Sequence, residues 1–167
     1  MVGSNRIFLN IHSNLVIKPI ILKKNKKNNL RKVNSLSCAK RVLEIEYQAL
    51  QKLKRSIGEE FLSVINVLSK IKGRIIISGV GKSGHVGKKI AATLSSTGAP
   101  SMFIHPTEAS HGDLGMITKS DAIILLSNSG ESPELNDMIT YSKRYNLPLI
   151  GITSKKKSTL VSNVEKI

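Results

Sequence analysis

The spacing of apolar residues along this chain predicts helices and strands in alternation. Helical spacing predicts one helix over residues 38–56 and a second over residues 61–71. A continuous β-branched run bounded by glycines predicts a buried strand over residues 74–80. Shorter apolar runs predict three further strands, at residues 101–105, 121–127 and 148–153.

The segments between these strands predict the crossover helices of a parallel sheet. Helical spacing continues over residues 83–97, and Ser132 followed by Pro133 is typical of a helix start. Strand, helix and strand in alternation predict an α/β fold, a three-layer αβα sandwich with a parallel sheet and right-handed crossovers. Ligands of such sheets bind beyond the carboxyl ends of the strands.

The positive charge is concentrated before this predicted fold. The formal net charge is +15, and residues 1–43 contain ten Lys or Arg and no acidic residue. Residues 23–34 are rich in Lys and Asn. We therefore expect a basic, disordered leader over residues 1–38, with an organellar transit peptide as the alternative, and a folded domain over residues 39–167. Because the excess charge belongs to the leader, no nucleic-acid partner is predicted for the domain.

Composition argues against several other classes of protein. A single cysteine, Cys38, cannot form an internal disulfide, which fits a reducing compartment and a cytoplasmic location. The apolar stretch at residues 15–22 is interrupted by Lys18 and Pro19 and is shorter than the roughly 20 residues that cross a bilayer. The four histidines form no pattern typical of metal ligands, so neither a membrane nor a metal is predicted.

The first polar loop, residues 79–85, follows the first predicted strand of the sheet. Its glycines spell G-x-G-x-x-G, which leaves a dinucleotide-binding fold as an alternative. A dinucleotide-binding fold also has an acidic residue at the end of the next strand. Here the first acidic residue, Glu108, lies beyond that strand and after Pro106. A nucleotide P-loop lacks its first glycine, since Ile76 occupies that position. Two interpretations of this loop remain. It binds a smaller phosphorylated ligand, with Lys82 as a nearby cation, or it is a plain strand-to-helix turn.

The second polar loop, residues 127–132, follows the third predicted strand of the sheet. Ser127, Ser129 and Ser132 supply three hydroxyls around Gly130, ahead of a predicted helix. Hydroxyls and bare backbone N–H groups at a helix N-terminus bind anions, although serine-rich turns also serve as simple caps. The two loops together predict a phosphorylated small molecule as the ligand.

Four blocks of the sequence then carry a resemblance to a known family. They are residues 79–85, 91–98, 105–116 and 127–134. The chain from about residue 39 onwards resembles the sugar isomerase (SIS) domain family and its flavodoxin-like fold. Within that family it is similar to the arabinose-5-phosphate isomerases of lipopolysaccharide and capsule pathways.

The resemblance implies an aldose–ketose isomerisation between ribulose 5-phosphate and arabinose 5-phosphate through an enediol. It implies a phosphorylated sugar as ligand, no cofactor, and a homo-oligomer. Matching the family motifs residue by residue assigns catalytic roles to Lys82, His111 and Glu134. The residues expected to bind the substrate or its phosphate are Gly81, Ser83, Glu108, Ser127, Asn128, Ser129 and Ser132.

The same resemblance leaves the activity of this chain open. Enzymes of the group continue past residue 167 with a further strand, a further glutamate and a His-Pro-Gly-Gly segment. We therefore expect a C-terminally truncated domain whose last strand and helix are missing. An isomerase, a non-catalytic sugar-phosphate-binding module of regulatory or vestigial kind, and a dinucleotide-binding domain are the three functional hypotheses.

Overall fold

A computed structural model describes residues 6–10 and 35–164 of the chain. Residues 6–10 and 58–164 belong to one unit, and residues 35–57 belong to a second. The predicted leader over residues 1–38 lies mostly outside the described residues, so its end at residue 38 stays a prediction.

The first unit is built on a five-stranded sheet in which every neighbouring pair of strands is parallel. The strand order is β1-β5-β4-β2-β3. The strands are β1 (Arg6–Asn10), β2 (Ile75–Gly79), β3 (Ser101–Phe103), β4 (Ala122–Leu126) and β5 (Leu149–Thr153). The predicted α/β fold with a parallel sheet is confirmed.

Six α-helices accompany the strands in the described part of the chain. They are α1 (Ser35–Ser56), α2 (Glu59–Leu68), α3 (Gly81–Ser96), α4 (Pro106–Ser110), α5 (Asn136–Tyr145) and α6 (Thr159–Asn163). Short 3-10 helices cover Asp113–Met116 and Pro133–Leu135. The sequence did not predict α4, α6 or the 3-10 turns, because elements of so few residues are too short to show a helical period. The helix expected to start after Ser132 begins as the second 3-10 turn and continues as α5.

Alternating side chains of the central strands form a core on each face of the sheet. Ile76, Ile123 and Leu125 pack with Met138 of α5 and Leu160 of α6. The intervening residues Ile77 and Ile124 pack with Val64 of α2 and Ala91 of α3. This period of two places apolar side chains on both faces, which is why the strands read as continuous apolar runs. Both faces are covered by helices, as the predicted three-layer sandwich requires.

The strand order identifies where the chain reverses its direction of travel across the sheet. From β2 the chain moves outward to β3, then returns across β2 to β4 and continues to β5. The order β3-β2-β4-β5 is that of flavodoxin-like doubly wound sheets, with the switch point between β2 and β4. Ligands of these folds bind at that switch point, beyond the carboxyl ends of the strands.

Strand β1 lies in the part of the chain where no strand was predicted. It pairs with the outer side of β5, with Arg6 opposite Leu149 and Asn10 opposite Thr153. This edge of β5 is therefore covered by residues 6–10. No short-range pattern shows this, because the pairing joins segments about 140 residues apart in sequence.

A buried carboxylate joins β2 and β4 at the amino ends of these strands. Asp121 is 1% exposed and accepts hydrogen bonds from the backbone N–H of Arg74 at 2.6 Å and of Thr118 at 2.8 Å. The Arg74 guanidinium forms an ion pair with the same carboxylate at 3.2 Å. Burial alone would raise the pKa of Asp121, but these hydrogen bonds and the Arg74 charge outweigh it and hold the pKa below its ordinary value.

The second unit is described from residue 35 onwards, where α1 forms a 22-residue helix. None of its residues is fully buried, and Leu43 and Leu50 are each 65% exposed. Lys54 and Arg55 lie in its last turn, where positive charge is favoured by the helix dipole.

Candidate functional site

Both polar loops leave the sheet at the switch point between β2 and β4. The last residues of these strands, Gly79 and Leu126, are paired in register, so the first and second loops start side by side. A Cβ atom at Gly79 would lie 2.9 Å from the carbonyl oxygen of Leu126. The backbones therefore approach more closely than any side chain at position 79 would allow.

The first loop presents the start of a 16-residue helix to this edge. Val80 is extended, and α3 begins at Gly81 with φ +57°, a conformation that favours glycine. No side chain caps this end of the helix. The first N–H groups of an α-helix have no partner within the helix, and they carry its positive end. The backbone of Gly81, Lys82 and Ser83 can therefore receive an anion.

The second loop is shaped by its own hydroxyl groups. The buried Ser127 accepts a hydrogen bond from the Gly130 N–H at 3.0 Å and shares one with the Ser132 hydroxyl at 2.8 Å. Ser129 accepts from the Glu131 N–H at 3.2 Å. Gly130 has φ +71°, so the loop turns sharply at this residue. Ser129 and Asn128 lie exposed at the top of the turn.

The segment that follows β5 holds the second loop in place. The Asn128 carbonyl oxygen accepts from Thr153 Oγ1 at 3.2 Å and from Ser154 Oγ at 2.7 Å. The Gly130 carbonyl oxygen accepts from the Leu160 N–H at 2.9 Å. Sequence reasoning did not identify these partners, although the hydroxyl residues Thr153 and Ser154 at the end of a predicted strand were a visible signal.

Glu131 adds a further connection between the second loop and α6. Its carboxylate accepts hydrogen bonds from Thr159 Oγ1 at 2.6 Å and from the Thr159 N–H at 2.8 Å. These two hydrogen bonds, the hydroxyl one first, hold the pKa of Glu131 below its ordinary value. The carboxylate is thus engaged at the start of α6.

The three residues predicted to be catalytic all follow carboxyl ends of strands. Lys82 lies in the first turn of α3, after β2, and His111 ends α4, after β3. Glu134 lies in the 3-10 turn that follows the second loop. All three side chains are exposed, and none forms a hydrogen bond or ion pair with another residue of the described 35–164 range. They are therefore free to meet a ligand, and their catalytic roles stay predictions.

The remaining predicted binding residue, Glu108, belongs to the short helix α4. It is exposed in the first turn of that helix, where a carboxylate is favoured by the dipole. His105 caps the same helix, since its Nδ1 accepts from the Thr107 N–H at 3.3 Å. Ser110 Oγ donates to Asp137 at 2.6 Å and so connects α4 to α5.

An open cavity of about 170 Å³ lies behind the second loop. Glu131, Ser132 and Pro133 line it together with Asn136 of α5 and Thr159 of α6. Lys82 does not line this cavity. The cavity is therefore lined by the second loop and by the segments that follow β4 and β5, and by no residue of the first loop.

Two further findings concern the described residues as a set. Among residues 6–10 and 35–164, no three His, Cys, Asp or Glu side chains are grouped as a metal site would need. Over the same residues, no helix has the length and apolar character required to span a bilayer.

Comparison with known proteins relates this geometry to a family. The family model described as SIS domain matches residues 67–165. The arabinose 5-phosphate isomerase KdsD of Pseudomonas aeruginosa is 46% identical over 138 residues, which are 83% of this chain and 42% of that protein. KdsD of Francisella tularensis is 49% identical over 122 residues, 71% of this chain and 37% of that protein. The chain spans about two fifths of the length of these curated relatives.

A solved structure supports the same family assignment as the relatives found by sequence. A protein of Escherichia coli CFT073 in complex with arabinose 5-phosphate superposes with a TM-score of 0.75 and is 38% identical. The match covers 84% of this chain and 73% of that chain. The residues matched by the family model include β2 to β5 and both polar loops. The chain therefore belongs to the SIS domain family, and several of its relatives carry the name arabinose 5-phosphate isomerase KdsD.

Proposed function

We propose that the chain binds a phosphorylated sugar between the first and second loops. The observation that carries this proposal is the pairing of Gly79 with Leu126, which puts both loops at one switch point. The uncapped start of α3 and the hydroxyls of the second loop are suitable partners for a phosphate. Lys82 adds a positive charge at the same edge. The arabinose 5-phosphate bound by the Escherichia coli relative supports the same class of ligand.

The reaction we propose is the interconversion of arabinose 5-phosphate and ribulose 5-phosphate. A base removes the proton from C2 of the aldose while the carbonyl oxygen O1 is protonated, which gives the enediol; a proton is then delivered to C1 while the O2 hydroxyl loses its proton, which gives the ketose. In this proposal Glu134 and His111 carry out the proton transfers, and Lys82 stabilises the charge that develops on the carbonyl oxygen. The names of the curated relatives support this choice of substrates.

The binding step can be tested through ligand-dependent thermal stabilisation. A ligand at about 100 times its dissociation constant stabilises a protein by about 2.7 kcal/mol. Arabinose 5-phosphate should raise the melting temperature of the full chain, and Lys82→Ala should remove most of this rise. Lys89→Ala is the matched control, because Lys89 is an exposed lysine further along the same helix. An equal loss in both variants, or no rise in the parent chain, would contradict the proposal.

A turnover measurement separates catalysis from binding alone. Formation of arabinose 5-phosphate from ribulose 5-phosphate, lost in Glu134→Gln, is expected of an isomerase. Stabilisation without any product would instead indicate a non-catalytic sugar-phosphate-binding module. The strand order β3-β2-β4-β5 gives no support to the dinucleotide alternative, which would require NAD to stabilise the chain in place of the sugar phosphate.

The broader features implied by the family are part of this proposal. They are a homo-oligomeric assembly, a cytoplasmic location and a place in lipopolysaccharide biosynthesis. Each stays a prediction for this chain.

A further inference from the structure

The turn between β5 and α6 carries three consecutive lysines beside the second loop. We call residues 154–158 the lysine turn. Lys155, Lys156 and Lys157 at its centre are all exposed. Three adjacent exposed lysines make no contribution to the packing of the sheet or of α6, so the structure of the fold does not explain them.

Both ends of the lysine turn are held against the second loop. At its start, the N–H and Oγ of Ser154 donate to the Asn128 carbonyl oxygen at 3.3 and 2.7 Å. At its end, Ser158 caps α6 and lies close to Gly130. A Cβ atom at residue 130 would be 2.2 Å from Ser158 Oγ. The three lysines are therefore tethered next to the loop proposed to bind phosphate.

The charge of the lysine turn is not neutralised locally. Within the described residues, none of the three lysines forms an ion pair. The acidic side chain of the second loop, Glu131, accepts its hydrogen bonds from Thr159. The lysine turn and the second loop together carry three positive charges and one negative charge, which leaves a positive field around these two segments.

We propose that the lysine turn recruits the phosphorylated ligand to the second loop through long-range electrostatic attraction. The inference rests on the proposed function, since it assumes that this loop receives the phosphate. Charges of one sign around a binding site raise the local concentration of an oppositely charged ligand and its association rate. Because salt screens such attraction, the effect on binding should be seen at low ionic strength and disappear at high ionic strength.

The test compares two triple variants of the full chain that lose the same charge at opposite ends of the sheet. The first variant is Lys155→Gln, Lys156→Gln and Lys157→Gln. The matched control is Lys70→Gln, Lys72→Gln and Lys119→Gln, which removes three exposed lysines that precede β2 and β4 at their amino ends. The dissociation constant for arabinose 5-phosphate is measured by calorimetry at about 0.01 M and about 1 M salt, where the Debye lengths are about 30 and about 3 Å.

The lysine-turn variant should bind about 3- to 10-fold more weakly than the parent at low salt and equally well at high salt. The control should bind as the parent does at both salt concentrations. Equal affinity of the lysine-turn variant and the parent at low salt would overturn the inference, as would an equal loss in the control. If the parent itself does not bind arabinose 5-phosphate, the proposed function fails and this inference fails with it.

Discussion

At the scale of single residues, Gly130 is the position on which the shape of the second loop depends. Its φ of +71° is strained for any residue with a side chain. A Cβ atom there would also lie 2.2 Å from Ser158 Oγ and 2.5 Å from Ser158 Cβ. Both the backbone conformation and the space available therefore require glycine.

We expect Gly130→Ala to destabilise the chain by about 1–3 kcal/mol, because a non-glycine residue is forced into the left-handed region. The shifted loop should also lose its thermal stabilisation by arabinose 5-phosphate. Both effects are measured in one set of thermal melts, with and without ligand.

Gly115→Ala is the control for this substitution. A Cβ atom at Gly115 would meet nothing within 4 Å, and its φ is not positive. This variant should melt close to the parent and keep its response to ligand. Equal behaviour of the two variants would show that the second loop tolerates a side chain at residue 130.

At the scale of secondary structure elements, β1 covers the edge of β5 that would otherwise be open. An uncovered edge strand offers unpaired N–H and C=O groups to other chains. In an edge strand, every second N–H points towards the neighbouring strand. One of the two residues Phe8 and Leu9 therefore donates a hydrogen bond to β5, and its substitution by proline removes that bond. The more damaging of the two should destabilise the chain by about 1–3 kcal/mol, through the carbonyl group left unpaired.

The controls for β1 are Phe8→Thr and Leu9→Thr, which remove the same side chains but keep the backbone N–H and a residue suited to strands. Chemical unfolding measures the stability of all four variants, and light scattering follows aggregation. If the proline variants match their threonine partners, pairing of β1 with β5 does not contribute to stability.

At the scale of the whole molecule, the buried carboxylate of Asp121 couples the stability of the sheet to pH. The pKa of Asp121 is lowered in the folded chain, so the carboxyl group loses its proton at a lower pH in the folded state than in the unfolded state. Its contribution is therefore complete above the unfolded pKa of about 4 and is lost as pH falls through the lower, folded pKa.

Asp121→Asn should lower the free energy of unfolding by about 1–3 kcal/mol at neutral pH, since buried N–H donors lose their charged acceptor. The difference from the parent should shrink as the pH falls below about 4. Urea unfolding over a series of pH values measures both quantities. Asp113→Asn removes a carboxylate outside this hydrogen-bond network and serves as the control. A constant gap between Asp121→Asn and the parent across the acid range would contradict this account.

Much of the fold followed from local pattern alone. The strands from β2 to β5 and helices α1, α2, α3 and α5 were predicted because each carries its own apolar period or run. The two polar loops were likewise visible as small and hydroxyl-bearing residues between a strand and a helix. These features depend on neighbours in sequence, so the sequence contains them in full.

The site could be predicted only in part. Lys82 and Glu134 follow β2 and β4, and their roles stay predictions, whereas the partners that hold the second loop, Thr153, Ser154 and Thr159, were not identified. Those contacts join residues about 25 positions apart or more, and no local period records them.

The sequence by itself thus determined the type of each long element, the α/β class and the family to which the domain belongs. The tertiary structure alone decided the strand order, the covering of β5 by β1 and the position of the lysine turn against the second loop. The physical reason is that strand pairing and loop contacts depend on burial and on hydrogen bonds between distant segments, which form only when the sheet assembles.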